Sequence, residues 1–124
     1  MIRKLMQLTA LLMLGLALTG AVLAEPPKTE NGVTRVHLDE YNGYFSAKET
    51  LASLKPGTYE FVITNKADKT VGWLIQNGRT HERLDMFPLQ PGQTRTSRVE
   101  ITSDGFRYRC PINPTPWYDV SVSE

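Results

Sequence analysis

The chain has 124 residues, a single Cys, and 14 basic against 13 acidic side chains. That length supports one domain with one core once a leader is set aside, and it is too short for two. The balanced charge, with no basic stripe, argues against a nucleic-acid footprint. The lone Cys110 excludes an internal disulfide, so the core alone must hold the fold.

Arg3 and Lys4 give the N-terminus positive charge, and Leu5 to Leu18 follows without any charge, interrupted only by the polar Gln7 and Thr9. Ala21-Val22-Leu23-Ala24 then presents small or modest side chains before Glu25-Pro26-Pro27. This is the three-part pattern of a cleaved secretory signal peptide over residues 1–24. The apolar run is short for a span of ~20 residues, and no Cys near the cleavage point offers a lipid anchor. The expectation is a secreted, periplasmic protein with no membrane segment after cleavage. Without Arg3 and Lys4, 12 bases remain against 13 acids, a formal charge of −1.

Residues 25–32 (EPPKTENG) are polar and carry Pro and Gly, and read as a flexible lead to a domain at 33–124. Val33 to Leu38 is a first strand, its β-branched residues suiting a pleated surface. Tyr41 to Lys48 is irregular in pattern, and Thr50 to Leu54 is a short second strand. Lys55-Pro56-Gly57-Thr58 is a turn. From Thr58 to Thr64 the residues Tyr59, Phe61 and Ile63 alternate with Glu60, Val62 and Thr64, the period of a strand. Asn65 to Lys69 turns the chain, Val71 to Gln76 is a strand, and Asn77-Gly78 ends it. Thr80 to Met86 admits either one helical turn or an extended crossover. Turns at Gln90-Pro91-Gly92-Gln93 and Ser103-Asp104-Gly105 bracket a strand from Thr94 to Ile101. In Phe106 to Cys110, Phe106, Tyr108 and Cys110 share one strand face, and Arg107 and Arg109 take the other. A Pro-rich loop from Pro111 to Pro116 leads to a last strand, Trp117 to Val122. Roughly seven short strands with turns about every 8–12 residues predict an all-β sandwich. Its expected core is Tyr59, Phe61, Ile63, Phe106, Tyr108, Val120 and Val122.

Three segments together resemble a cupredoxin. They are Leu54-Lys55-Pro56-Gly57-Thr58-Tyr59-Glu60-Phe61-Val62-Ile63-Thr64-Asn65, then Leu89-Gln90-Pro91-Gly92-Gln93, then Gly105-Phe106-Arg107-Tyr108-Arg109-Cys110-Pro111. Within that superfamily the sequence is most similar to the cupredoxin-like domain of EfeO-type periplasmic iron-uptake proteins. The similarity rests on Trp73-Leu74-Ile75-Gln76-Asn77-Gly78, Glu82-Arg83 and Cys110-Pro111-Ile112-Asn113-Pro114. The resemblance implies a Greek-key β-sandwich with a metal site at the loop end near Cys110, and copper or iron as the cofactor.

An ordinary blue-copper site needs two His and one Cys, usually with a weak axial Met. No His or Met follows Cys110, and the histidines beyond the leader are His37 and His81 alone, so a type 1 site is not expected. In the EfeO-like pattern the upstream Cys falls at Ser46, acids fall at Gly72 and Leu74, and a Met falls at Tyr108. Cys110 and Glu82 match the pattern. His81, with Glu82 and Met86 nearby, could supply a soft nitrogen–sulfur site and so further metal ligands beside Cys110, or the three could lie in a solvated connection.

Cys110 itself is open to three readings: a small buried hydrophobe on the face of Phe106 and Tyr108, a metal ligand, or a reactive or intermolecular thiol. His37 reads as a surface residue. Trp117 and Tyr118 straddle two faces. Arg107 and Arg109 form either a solvated face or a patch for an anion or partner. No enzyme constellation, phosphate loop or zinc Cys pair is present. The functional expectation is a small periplasmic cupredoxin-like binding or accessory protein, not an enzyme, that meets an unidentified periplasmic protein partner. The alternative is a copper- or iron-binding metalloprotein using Cys110.

Overall fold

The alternating texture of the sequence is realised as strands. The computed structural model describes residues 24–124, so the leader expected over 1–24 lies, but for Ala24, outside the described residues. Among the described residues nine strands run in order: β1 (Lys28–Glu30), β2 (Val33–Tyr41), β3 (Tyr44–Ala47), β4 (Gly57–Asn65), β5 (Val71–Asn77), β6 (Arg83–Leu89), β7 (Thr94–Ile101), β8 (Phe106–Arg109) and β9 (Tyr118–Val120). No helix occurs among the described residues, and so none there is long and apolar enough to cross a membrane.

The strands form two sheets. One has the order β1-β2-β4-β7, with β3 also paired to β2, and the other has the order β6-β5-β8-β9. In the first sheet β2 and β4 run parallel, from Val33 beside Thr58 to Glu40 beside Asn65. The second sheet is antiparallel throughout. The arrangement is all-β and sandwich-like, with one core fed from both sheets. Val36, Leu38, Phe61 and Ile63 come from the first, and Trp73, Ile75, Phe106 and Tyr108 from the second. Rings interlock across the gap: Phe61 lies 5.5 Å from Trp73 and 5.2 Å from Phe106, centroid to centroid. Offset and edge-to-face pairs at such spacings contribute beyond their area burial.

Five of the seven expected core residues are at most 3% exposed and Val122 is 8% exposed. Val120 is half-buried and packs against the cluster from its rim.

Three expectations are corrected, and one left open is decided. The lead is not wholly irregular: Lys28–Glu30 pairs with Val33–Arg35 across the Asn31-Gly32 turn. The stretch from Tyr41 is not irregular either, because Asn42 and Gly43 take φ of 52° and 98° and form a two-residue hairpin from Tyr41 to Tyr44. Positive φ at both central residues is what a type I′ turn requires, and Asn-Gly supplies it. Thr50 to Leu54 is not a strand. It connects β3 to β4, both of the first sheet, and within it only Leu54 forms a bridge, to Val122. Thr80 to Met86 resolves as the turn into β6, whose ladder to β5 begins at Arg83 beside Gln76.

Candidate functional site

β8 places Tyr108 opposite Ile75 and Arg109 opposite Leu74. Continuing that register brings Cys110 to Trp73, with its side chain on the inner face. Cys110 is 0% exposed. Its Sγ accepts N–H groups from Gly72 at 3.3 Å and Asn113 at 3.4 Å. The loop that follows is held down on both sides. Asn113 donates its amide to the Asn42 carbonyl at 2.9 Å, and Thr115 donates its hydroxyl to the Gly43 carbonyl at 2.7 Å. Pro111 sits so close over Gly72 that a Cβ there would lie 2.9 Å from its Cδ. Gly72 therefore makes room for the ring that closes the loop.

The second member of the site is Glu40. Val36, Leu38 and Glu40 are successive inward positions of β2, and the third carries a carboxyl. It is 0% exposed, flanked in register by Phe45 and Asn65. Among the described residues neither carboxyl oxygen has a hydrogen-bond partner in good geometry. Burial pushes this carboxyl up to about 7, the larger effect, and the Cys110 thiol facing it pulls the other way. Desolvation disfavours the charged form, so the group sits at the edge of ionisation near neutral pH. The indole N–H of Trp73 is also buried without a partner, and Phe45 packs edge-on against the Trp73 ring at 5.8 Å.

Asn65 fixes the neighbouring loops. Its amide donates to the carbonyls of Lys69 at 2.8 Å and Leu89 at 3.0 Å, and its side-chain oxygen accepts the Ala67 N–H at 2.8 Å. Lys66 N–H reaches back to the Glu40 carbonyl at 2.8 Å.

The remaining sequence candidates lie elsewhere. His81 and Glu82 are exposed and belong to the turn after Asn77, where the His81 N–H donates to the Asn77 carbonyl at 3.1 Å. Asn77 ends β5, four residues beyond Trp73 and so about 13 Å away at ~3.3 Å per residue. Met86 pairs with Leu74 and is 47% exposed on the outer face. His37 points away from the core and pairs through Nδ1 with Glu49 at 2.7 Å. The donors of a type 1 copper centre therefore do not converge on Cys110. Among the described residues no three His, Cys, Asp or Glu side chains cluster. A cleft between the lead and the outer face of the first sheet is lined by residues that include Arg35, His37, Glu49 and Glu60, and it does not include Cys110.

Glu40 is the residue that sequence reasoning missed. Its signal was present: it stands two places after Leu38 in phase with Val36. Ending the first strand at Leu38 removed it from the inner face.

No protein-family model matches the chain, and no curated protein matches it either.

Proposed function

We propose that this is an exported accessory module on a cupredoxin-like, Greek-key sandwich, which works through protein contacts and not as an ordinary copper carrier. The observation that carries the reading is the end of the sandwich where a cupredoxin would hold its metal. There Cys110 is sealed from solvent, faces a single buried carboxyl, and has its sulfur engaged by two backbone N–H groups. The histidines are elsewhere, and a type 1 site needs both. The signal pattern at residues 1–24 supports export to the periplasm.

A second reading is favoured by one observation: Glu40 is buried, unpartnered and faces the only thiol. Buried charge is retained where it is paired or coordinates a metal, so a thiolate–carboxylate pair is a partial ligand set for copper or iron. Metal analysis of the purified protein, with Cys110→Ser beside it, separates the two. The accessory reading expects no stoichiometric copper or iron and no blue charge-transfer band on adding Cu(II). Metal at one equivalent, lost in Cys110→Ser, would establish the second reading instead.

A further inference from the structure

We propose that the outer face of the second sheet docks a carboxylate-rich segment of a partner protein through Arg107 and Arg109, both stacked on Trp117. The proposal deepens the accessory-module reading and rests on it.

Cross-strand register organises this face into rows. Arg83, Gln76, Arg107 and Asp119 stand side by side across β6, β5, β8 and β9, and Met86, Leu74 and Arg109 form the next row. Beyond them Pro88 lies beside Gly72, which Pro111 and Ile112 cover. One side of the face is thus cationic and the other apolar. Met86 is 47% and Ile112 54% exposed, two of the four large hydrophobic side chains that stand exposed among the described residues.

The guanidinium carbons of Arg107 and Arg109 lie 3.9 Å and 4.2 Å from the centroid of the Trp117 ring. Arg107 is fixed further by donating its Nε–H to Gln76 Oε1 at 2.9 Å. None of the ion pairs among the described residues uses Arg83, Arg107 or Arg109. Asp119, opposite Arg107 in register, makes no ion pair with it. The Nε–H of Arg109 is buried without an acceptor among the described residues. A guanidinium stacked by its face on an indole keeps its N–H edge for a carboxylate and has lost much of its side-chain freedom beforehand. Such a fork binds carboxylate in a bidentate manner.

The apolar flank selects the occupant. A free anion gains nothing from Met86 and Ile112, whereas protein interfaces combine Arg and Trp anchors with apolar contact. An anionic bilayer is disfavoured because the chain beyond the leader is itself slightly acidic, with 12 bases against 13 acids, and lacks the polybasic cluster that membrane attraction needs.

The test is fluorescence anisotropy of a short labelled peptide of alternating Glu and Leu, titrated with the purified protein. Saturable binding is expected, about tenfold weaker for the same peptide with Gln in place of Glu, and equally weak for Arg107→Gln/Arg109→Gln. Arg107→Lys/Arg109→Lys keeps the charge but not the fork, and binding should fall there too. Equal affinity for the Glu and Gln peptides overturns the proposal without reliance on any variant. So does unchanged binding by the folded double variants. Stronger association with phosphatidylglycerol vesicles, or displacement of the peptide by inorganic phosphate at similar concentration, would assign the face to lipid or free anion instead. Metal content decides the accessory reading independently, so a failure here leaves that reading standing.

Discussion

Replacing Glu40 by Gln removes the buried carboxyl that faces Cys110 while preserving its shape. Burial lifts this carboxyl from its ordinary 4.5 to about 7. A folded-state value above the unfolded one means that the native state holds the proton more tightly. Its contribution is therefore complete below about pH 4.5 and is lost as pH rises to 7, beyond which the cost of a buried carboxylate is fully felt. At ~1.4 kcal/mol per pH unit the loss is about 3 kcal/mol. That is a large part of the ~5–15 kcal/mol that holds a domain of this kind together. Urea unfolding at several pH values measures it. With m near 1–3 kcal/mol/M, the wild-type midpoint should fall by roughly 1–3 M between pH 4.5 and 8. Glu40→Gln should resemble wild type at pH 4.5, lose most of that slope, and be the more stable protein at pH 8. A flat wild-type profile would refute the reasoning, as would a Glu40→Gln protein that keeps the full slope.

Three further outcomes are expected. Thiol labelling of Cys110, which is 0% exposed, should be slow in the native protein and fast only in urea; rapid native labelling suppressed by Cu(I) or Fe(II) would turn the assignment toward metal carriage. Asn65→Ala strips three hydrogen bonds from a buried side chain and should cost about 2–4 kcal/mol, since each partner left unsatisfied pays its desolvation; a loss under ~1 kcal/mol in chemical denaturation would mean that water replaces the amide. Gly72→Ala places a methyl 2.9 Å from Pro111 Cδ; overpacking of this kind costs roughly 1–3 kcal/mol, and the displaced loop should speed Cys110 labelling, whereas unchanged stability and labelling would show that the loop does not depend on Gly72.

Local sequence was enough where one residue's neighbours decide its state. Period two in Tyr59, Phe61 and Ile63, and the turns at Pro56-Gly57 and Pro91-Gly92, fixed the long strands and the all-β class, because alternation and turn chemistry act over a few residues. The Asn-Gly pairs at 31–32 and 42–43 were equally local, and they mark hairpins that a reading of Pro, Gly and polar content passes over. Thr50 to Leu54 shows where local reasoning stops: it has a strand-like texture but no neighbour except Val122 to pair with.

The site lies wholly on the other side of that boundary. Sequence proximity grouped His81, Glu82 and Met86, yet the sheet carries the first two to the far end of β5 and turns the third to the outer face. What meets Cys110 is Glu40, 70 positions earlier in the chain, because the pairing of β2 with β4 and the closure of one sheet over the other bring those strand ends together. By itself the sequence determined most of the strands, though not β1, β3 or β6, and the face on which Cys110 falls. Which carboxyl faces the thiol, and which arginines share Trp117, only the tertiary structure decided, because a periodic pattern specifies the face of a strand but not the strand opposite.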